Sequence, residues 1–350
     1  MNGGGVEVEG LRKVFGDKTA VDDVSFTVEP GAVVGLLGPN GAGKTTVINC
    51  LSTLLPPDGG RASVAGHDVA GDPSGVRASI ALTGQFAAVD DVLTGRQNLV
   101  LFGRLLKLDR AAAAARAEEL LSGFGLAEAA DQPVKSYSGG MRRRLDLAAS
   151  LVVSRPVIFL DEPTTGLDPV GRQEMWDVVA SLREEGVTLL LTTQYLEEAD
   201  RLADRIVLID RGKVIAQGTP GELKKQVGGQ VCEVRTEPPE DALRALRGRV
   251  DNVEESGGLV IVRDADGATL AEVVAALREQ GVEADDIRLR RPTLDEAFFA
   301  LTGHGPASGP QDSVSGVQEP ASEDHDAAAE GDKSSSEGHE SAAGRKGAGS

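Results

Sequence analysis

A glycine-rich segment with one lysine and one hydroxyl occupies residues 38–45, which read Gly-Pro-Asn-Gly-Ala-Gly-Lys-Thr. The spacing fits G-x-x-x-x-G-K-[ST], and the segment lies between the apolar run Val33–Leu37 and a helical pattern over residues 46–55. There, glycines let backbone N–H groups converge on phosphate oxygens, Lys44 adds a positive charge, and the Thr45 hydroxyl can reach Mg²⁺. A glycine-rich turn is the alternative. We expect nucleotide contacts from Gly38, Pro39, Asn40, Gly41, Ala42, Gly43, Lys44, Thr45 and Thr46.

Two adjacent carboxylates follow a second apolar run. Residues 157–160 are apolar, and Asp161 and Glu162 come directly after them. The carboxyl end of a buried strand is where open parallel sheets bind their ligands. Asp161 is suited to hold Mg²⁺ through water, and Glu162 to orient and polarise an attacking water. A solvated turn is the alternative, but the phosphate loop makes it the weaker one.

A second glycine-containing helix start lies at Ser138, Gly139 and Gly140, before a strongly helical pattern over residues 141–153. Such a helix N-terminus can receive a phosphate group. One nucleotide does not need two phosphate-binding helix starts in one domain. Read alone, these three residues are an N-cap and a turn.

The segments around these motifs predict an α/β domain over residues 6–228. Short β-branched runs alternate with amphipathic segments up to about residue 219, which indicates a largely parallel sheet. Four runs are apolar nearly throughout, as expected of strands covered on both faces: residues 33–37, 157–160, 187–191 and 206–209. Helical spacing over residues 97–108 and 110–122 predicts a helical subdomain over about residues 86–155.

The pattern changes at Gly228 and Gly229 to a smaller α+β unit. Strand-like and helical segments then alternate over residues 231–235, 242–247, 250–253, 259–262, 269–280, 287–289 and 294–301. The order is βαββαβ with a terminal helix, which is compatible with a ferredoxin-like unit. We predict an accessory domain over residues 229–302, with dimer stabilisation or contact with a membrane partner as hypotheses for its role.

Charge and hydropathy restrict the partners. The chain has 36 basic and 55 acidic residues, a net charge of −19. This sign disfavours binding to nucleic acid or lipid headgroups, and the basic run at residues 142–144 reads as one solvated helical turn. We expect no nucleic-acid partner and no direct insertion into lipid. The longest apolar runs fall far short of the roughly 18 to 20 residues of a membrane span. Residues 303–350, with nine acidic and three basic residues, are predicted to be a disordered acidic tail.

Five motifs in order give the chain a specific resemblance. They are residues 38–45, Thr83-Gly84-Gln85, residues 137–141 (Tyr-Ser-Gly-Gly-Met), residues 157–162 (Val-Ile-Phe-Leu-Asp-Glu) and residues 165–168 (Thr-Gly-Leu-Asp). This order is that of the ATP-binding-cassette ATPases, and the resemblance covers residues 6 to about 219. It implies a P-loop NTPase cassette core, with ATP and Mg²⁺ as cofactors.

The resemblance also implies how the site is completed. In that family each ATP lies between the phosphate loop of one subunit and the Ser-Gly-Gly segment of a second, in a head-to-tail dimer. This would give Ser138, Gly139 and Gly140 a ligand. A second cassette subunit, as a homodimer, and an integral-membrane permease are therefore the implied partners. The permease would hold the protein at the cytoplasmic face of the cell membrane.

Three further residues receive roles by resemblance. Gln85 contacts Mg²⁺ and senses the membrane partner, and Asp168 communicates across the dimer. Phe15 occupies the place of an aromatic residue that stacks on adenine. A core aromatic at a strand end is the alternative for Phe15.

Two departures from the family pattern occur. Tyr137 and Met141 replace the usual leucine and glutamine that flank Ser-Gly-Gly, and the second departure changes the chemistry. Residues 192–196 read Thr-Thr-Gln-Tyr-Leu, so Gln194 stands where the family usually has a histidine that contacts the γ-phosphate. Glutamine can donate and accept hydrogen bonds but cannot carry a proton or a positive charge. Hydrolysis should survive, because positioning and electrostatics dominate phosphoryl transfer.

The departure narrows the resemblance. Residues 76–91, 137–146, 191–200 and 294–303 resemble the daunorubicin/doxorubicin resistance ATP-binding proteins. Such relatives imply an ATPase subunit that couples dimer closure to efflux of a drug-like or antibiotic-like hydrophobic compound through a separate permease. The alternatives are export of a lipid or polysaccharide, a soluble ATPase of translation or DNA repair, and a regulatory subunit with little turnover. A single cassette without sustained heptads disfavours the soluble machine.

Overall fold

The computed structural model describes residues 4–84, 88–226 and 229–302. Its strands up to residue 226 are β1 (Val6–Phe15), β2 (Lys18–Val28), β3 (Val33–Leu37), β4 (Gly59–Val64), β5 (His67–Asp68), β6 (Ile80–Thr83), β7 (Val157–Asp161), β8 (Thr188–Thr193), β9 (Arg205–Asp210) and β10 (Lys213–Gly218). The helices there are α1 (Lys44–Leu51), α2 (Pro73–Ser79), α3 (Gly95–Leu105), α4 (Arg110–Gly123), α5 (Gly139–Ser150), α6 (Pro169–Glu184), α7 (Leu196–Leu202) and α8 (Pro220–Lys225).

A six-stranded sheet forms the centre of this region, in the order β10-β9-β3-β8-β7-β6. All neighbours are parallel except β10, which pairs antiparallel with β9. Every residue of β3, β7 and β8 is buried, because helices and a second sheet cover both faces. The predicted largely parallel α/β core is therefore confirmed.

A separate antiparallel sheet, in the order β2-β1-β4-β5, lies beside this core. Buried and exposed residues alternate along β1, so one face of this sheet packs inward. Val6, Val8 and Phe26 of this face share a hydrophobic core with Val47 and Ile48 of α1. The second sheet therefore supports the helix that follows the glycine-rich loop.

Several element boundaries differ from the sequence predictions, and for two of them the backbone gives the reason. The helix predicted over residues 46–55 ends at Leu51, because Thr53 adopts a positive φ of 65° that a right-handed helix does not allow. The strand predicted over residues 250–253 lies instead at Val253–Ser256. A positive φ of 55° at Asn252 interrupts the extended backbone before it.

The C-terminal elements are β11 (Gln230–Arg235), α9 (Pro239–Leu246), β12 (Val253–Ser256), β13 (Leu259–Ala265), α10 (Gly267–Glu279), β14 (Asp286–Arg290) and α11 (Leu294–Thr302). Their antiparallel sheet has the order β12-β13-β11-β14. The βαββαβ order and this strand arrangement confirm the ferredoxin-like prediction.

The terminal helix leaves this sheet and packs against the α/β region. Leu294, Ala297 and Phe298 of α11 share an apolar cluster with Ala199 of α7 and Leu223 of α8. Among the described residues, no helix is long and apolar enough to cross a bilayer.

Candidate nucleotide-binding site

The glycine-rich loop joins the buried strand β3 to the first residue of α1, Lys44. Gly43, just before that helix, has a φ of 108°, which side chains other than hydrogen rarely allow. At Gly38, a Cβ atom would lie 2.1 Å from the Ile209 carbonyl oxygen. Glycine at both positions is therefore a steric requirement of this loop.

Lys44 is 4% exposed and folds back over its own loop. Its Nζ donates to the carbonyl oxygens of Gly38 at 2.8 Å and Pro39 at 3.1 Å, and lies 3.5 Å from Glu162 Oε1. Burial lowers the pKa of Lys44, while the carboxylates of Glu162 and Asp161 oppose that shift. A triphosphate would bring further negative charge to this ammonium group.

Asp161, at the end of β7, is 3% exposed and accepts hydrogen bonds from two hydroxyl groups. Thr192 Oγ1 donates to Asp161 Oδ1 at 2.5 Å, and Thr45 Oγ1 donates to the same atom at 3.2 Å. A carboxylate and a threonine hydroxyl are the hard oxygen donors that Mg²⁺ prefers. The described residues contain no cluster of three or more metal-binding side chains, so a metal here would need oxygens from a nucleotide and water. The donor set therefore fits Mg²⁺ bound together with a phosphate group.

Glu162 begins the loop after β7 with a φ of 50°, in the left-handed region. Its backbone N–H donates to Thr192 Oγ1 at 2.9 Å, and Thr165 Oγ1 donates to Glu162 Oε2 at 3.1 Å. Thr192 on β8 thus holds Asp161 and Glu162 with one hydroxyl group. Sequence reasoning missed this role, because a threonine within a buried strand reads as an ordinary β-branched residue.

A cavity of about 290 Å³ opens beside the loop, and Phe15 forms part of its wall. The cavity is lined by Phe15, Lys18, Ala20, Asn40, Gly41, Gly43, Lys44, Thr45, Thr46 and Glu162. Phe15 is 47% exposed, so its interpretation as a core aromatic is wrong. An exposed aromatic ring, backbone amides, two ammonium groups and one carboxylate thus surround one space, which can accommodate the base and phosphates of a nucleotide.

The remaining predicted site residues lie elsewhere. Ser138 caps α5 by accepting from Met141 N at 3.2 Å, and Asp168 caps α6 by accepting from Gly171 N at 2.8 Å. The two helix starts are neighbours, because a Cβ added at Gly140 would lie 3.4 Å from Gly171 Cα.

None of Ser138, Gly139, Gly140 and Asp168 lines the cavity within one chain. Gln194 is half-buried in the turn after β8. Gln85 lies outside the described residues.

Arg143 contradicts the interpretation of residues 142–144 as a solvated turn. Its guanidinium donates to the carbonyl oxygens of Gly84 at 2.6 Å, Pro163 at 3.0 Å and Asp161 at 3.1 Å. The side chain is 10% exposed. The signal was its helical spacing from the buried residues Gly140 and Leu147, which places Arg143 on the inner face of α5.

Comparisons with known proteins agree with this geometry. Residues 21–165 match the ABC transporter family, and residues 218–302 match the family described as ATP-binding protein DrrA1-3-like, C-terminal domain. The daunorubicin resistance ATP-binding protein DrrA2 of Streptomyces coeruleorubidus is 53% identical over 311 residues, covering 87% of this chain and 97% of the relative. The doxorubicin resistance ATP-binding protein DrrA of Mycobacterium tuberculosis is 52% identical, covering 85% of this chain and 93% of that protein.

A solved structure described as an ATP binding subunit of an ABC transporter superposes with a TM-score of 0.57 and 29% identity. The superposition covers 63% of this chain and 92% of the solved chain. Fold, site and comparisons together define an ATP-hydrolysing subunit of the ABC transporter class. The chain belongs to the family of the daunorubicin/doxorubicin resistance ATP-binding proteins.

Proposed function

We propose that this protein powers the export of a drug-like hydrophobic compound through a separate membrane permease. The observation that carries the proposal is the cavity in which Phe15, Lys44 and Glu162 meet, on a chain with relatives named for daunorubicin and doxorubicin resistance. Aromatic stacking would hold the adenine and the loop would hold the phosphates. The assignment of the cargo rests on the relatives, because the proposed role of the cassette site is to bind nucleotide and not the cargo.

Thr45, Asp161 and Gln85 are the proposed ligands of Mg²⁺, which would neutralise part of the phosphate charge when bound. Glu162 orients the attacking water and accepts its proton. Thr192 keeps Glu162 in place through the bond to its backbone N–H, and Thr165 restrains its carboxylate. Gln194 donates a hydrogen bond to the γ-phosphate in this proposal.

A homodimer completes each site. Ser138, Gly139 and Gly140 form a helix start that lies outside the cavity of their own chain, which supports a role in contacting the phosphates bound to a second subunit. Asp168 begins the neighbouring helix and would cross the same interface. ATP would close this dimer, and hydrolysis would allow it to open again.

The permease would hold the protein at the cytoplasmic face of the membrane as a peripheral subunit. The net charge of −19 gives no electrostatic reason for nucleic acid or anionic lipid to bind directly. Protein contacts with the permease would therefore supply the attachment.

Transport into inside-out vesicles tests the proposal. The permease is first identified as the polytopic membrane protein that co-purifies with this protein from detergent extracts. The two proteins are then co-expressed, and ATP-dependent uptake is followed by the quenching of doxorubicin fluorescence. We expect uptake with wild-type protein and none with Glu162→Gln, whose side chain keeps the size but loses the basic carboxylate. Equal uptake with both proteins would contradict an ATP-driven exporter.

A second cargo class has specific support. The Nod factor export ATP-binding protein I of Ralstonia nicotianae is 40% identical over 300 residues and covers 85% of this chain. The same vesicles can be supplied with labelled lipid or oligosaccharide. Uptake of such a compound without uptake of doxorubicin would move the assignment to this class.

A further inference from the structure

Glu198, on the first turn of α7, is the most completely buried carboxylate of the described residues, with 0% exposure. Its Oε1 accepts a hydrogen bond from the Trp176 indole N–H at 3.2 Å. Its Oε2, and the neighbouring Thr164 Oγ1, are buried without a well-formed hydrogen bond. A carboxylate in such a place is costly, because burial disfavours its charge.

The groups around Glu198 come from several elements. The hydroxyls of Thr193 and Thr164 face the carboxylate together with the Trp176 indole, and the guanidinium groups of Arg172 and Arg143 are nearby cations. Burial raises the pKa of Glu198, and these groups offset part of that shift. Arg172 also stacks over the Tyr195 ring, with its Cζ 4.9 Å from the ring centroid.

Each contact of Glu198 leads to a different part of the nucleotide site. Thr193 directly precedes Gln194, and Thr164 is the second residue after Glu162. Trp176 lies on α6, which Asp168 caps. These three segments belong to different elements of the fold, and they meet at this one side chain.

A neutral side chain would fill the same space without the cost of burying a charge. Leu196 and Ala199, on the same helix, pack into the apolar cluster beneath α7 in this way. A buried carboxylate instead offers two oxygens with fixed directions, which can hold several donors in one arrangement. Its position therefore indicates a geometric role rather than a contribution to core stability.

We propose that Glu198 is a positioning residue for ATP hydrolysis. It holds the turn that presents Gln194 and the loop that presents Glu162 at a fixed separation, and it anchors both to α6. The inference rests on the proposed function, since it concerns the rate of that reaction. Glu198 does not touch the nucleotide cavity, so its removal should change kcat rather than nucleotide binding.

The test compares Glu198→Gln with Glu197→Gln. Glu197 is exposed on the same helical turn, so its variant is a matched control. We expect kcat for ATP hydrolysis to fall roughly 10- to 100-fold in Glu198→Gln, because small misplacements of reacting groups have effects of this size. We expect KM for ATP to stay within about twofold in both variants, and the kcat of Glu197→Gln to stay unchanged.

Trp176→Phe removes only the indole N–H and provides a second variant if Glu198→Gln fails to fold. We expect the same selective fall in kcat, of smaller size. The decisive measurement is the kcat of the double variant that combines Glu198→Gln with Gln194→Ala. If Glu198 acts through Gln194, the two losses in kcat will be less than additive.

Four outcomes separate the possibilities. Wild-type turnover with unchanged kcat in Glu198→Gln and Trp176→Phe would overturn the inference and leave the proposed function intact. Parallel loss of ATP affinity and thermal stability would also overturn it, in favour of a purely structural role. Fully additive losses with Gln194→Ala would overturn the part of the inference in which Glu198 acts through Gln194. Absence of turnover in wild-type protein would overturn both the inference and the proposed function.

Discussion

Two clusters of charged residues in this protein have similar composition but different roles. In the cassette, Lys44 and Glu162 approach to 3.5 Å and both line the nucleotide cavity. In the C-terminal unit, Glu233 is 7% exposed and accepts from Arg288 at 2.7 Å and Arg290 at 2.5 Å. The first pair is long and faces a cavity, whereas the second group is closed by short hydrogen bonds.

This difference in geometry indicates which charged groups are arranged to bind a ligand. Arg290 also donates to both carboxylate oxygens of Glu296 at 2.9 Å, so β11, β14 and α11 are joined by one guanidinium. Such a bidentate arrangement satisfies its members internally. The C-terminal cluster should therefore act on stability alone, and the cassette cluster on catalysis.

The largest expected effect is that of Glu162→Gln on hydrolysis. We expect kcat to fall roughly a thousandfold, because the variant loses the base that accepts a proton from water. ATP should still bind, and the variant should accumulate as a nucleotide-bound dimer. Phosphate release and size-exclusion chromatography with ATP measure the two effects.

The matched control for that variant is Glu233→Gln in the C-terminal unit. It should leave kcat within twofold of wild type, because the Glu233 carboxylate accepts its hydrogen bonds from arginines of its own sheet, away from the nucleotide cavity. If Glu233→Gln slowed hydrolysis as much as Glu162→Gln, the separation of roles between the two clusters would be wrong.

The next effect concerns stability. Arg290→Met removes the cation shared by Glu233 and Glu296, and we expect it to lower the free energy of unfolding by about 3 kcal/mol. ATP affinity should change by less than twofold. Chemical denaturation and nucleotide titration test both statements, and Arg288→Met is the control because the Arg288 side chain is 56% exposed. A similar loss in both variants would contradict the assignment of the stabilising bond to Arg290.

Much of this contrast could be predicted from sequence. The loop at residues 38–45 and the strands β3 and β7 follow from local spacing and from runs of buried apolar residues. The C-terminal βαββαβ order follows from the alternation of strand and helix periods. Because these signals lie within about ten residues, no knowledge of distant pairing was needed.

Contacts between residues far apart in the chain could not be predicted from the sequence. The sheet of β1, β2 and β4 depends on pairings such as Val6 with Val64, which no local pattern encodes. Thr192 and Glu198 acquire their roles only when β8 and α7 lie beside the loop after β7. Helical spacing places Arg143 on the inner face of α5, but the carbonyl oxygens that accept its hydrogen bonds come from two other segments.

Two exposed aromatic residues provide a third test. Phe15 lines the nucleotide cavity at 47% exposure, and Phe299 of α11 is 57% exposed. We expect Phe15→Ala to weaken ATP binding about tenfold, because stacking on a base contributes on the order of 1–3 kcal/mol. Phe299→Ala should leave ATP affinity unchanged. Fluorescent-nucleotide titration decides, and equal losses would remove Phe15 from the site.

The smallest effect is expected on acidification, with opposite signs for Glu296 in the C-terminal unit and Asp146 in the cassette. Hydrogen bonds from Arg290 hold the pKa of Glu296 below its ordinary value of 4.5. Glu296 therefore stabilises the C-terminal unit above that value, and this contribution is lost as pH falls through the lowered pKa. In the cassette, burial raises the pKa of Asp146, whose protonation relieves a penalty as pH falls. The C-terminal sheet should thus lose protection first.

Hydrogen exchange between about pH 5.5 and pH 3.5, corrected for the intrinsic exchange rate, measures this difference by region. We expect the amides of β11 and β14 to lose protection from exchange relative to those of β7 as the carboxylates of the C-terminal cluster become protonated. The change should be smaller than that in Arg290→Met, because the protonated side chains keep their packing. Glu296→Gln should flatten the pH dependence of the C-terminal sheet. A parallel decline of both sheets in wild type and variant would show that the C-terminal cluster does not govern acid stability.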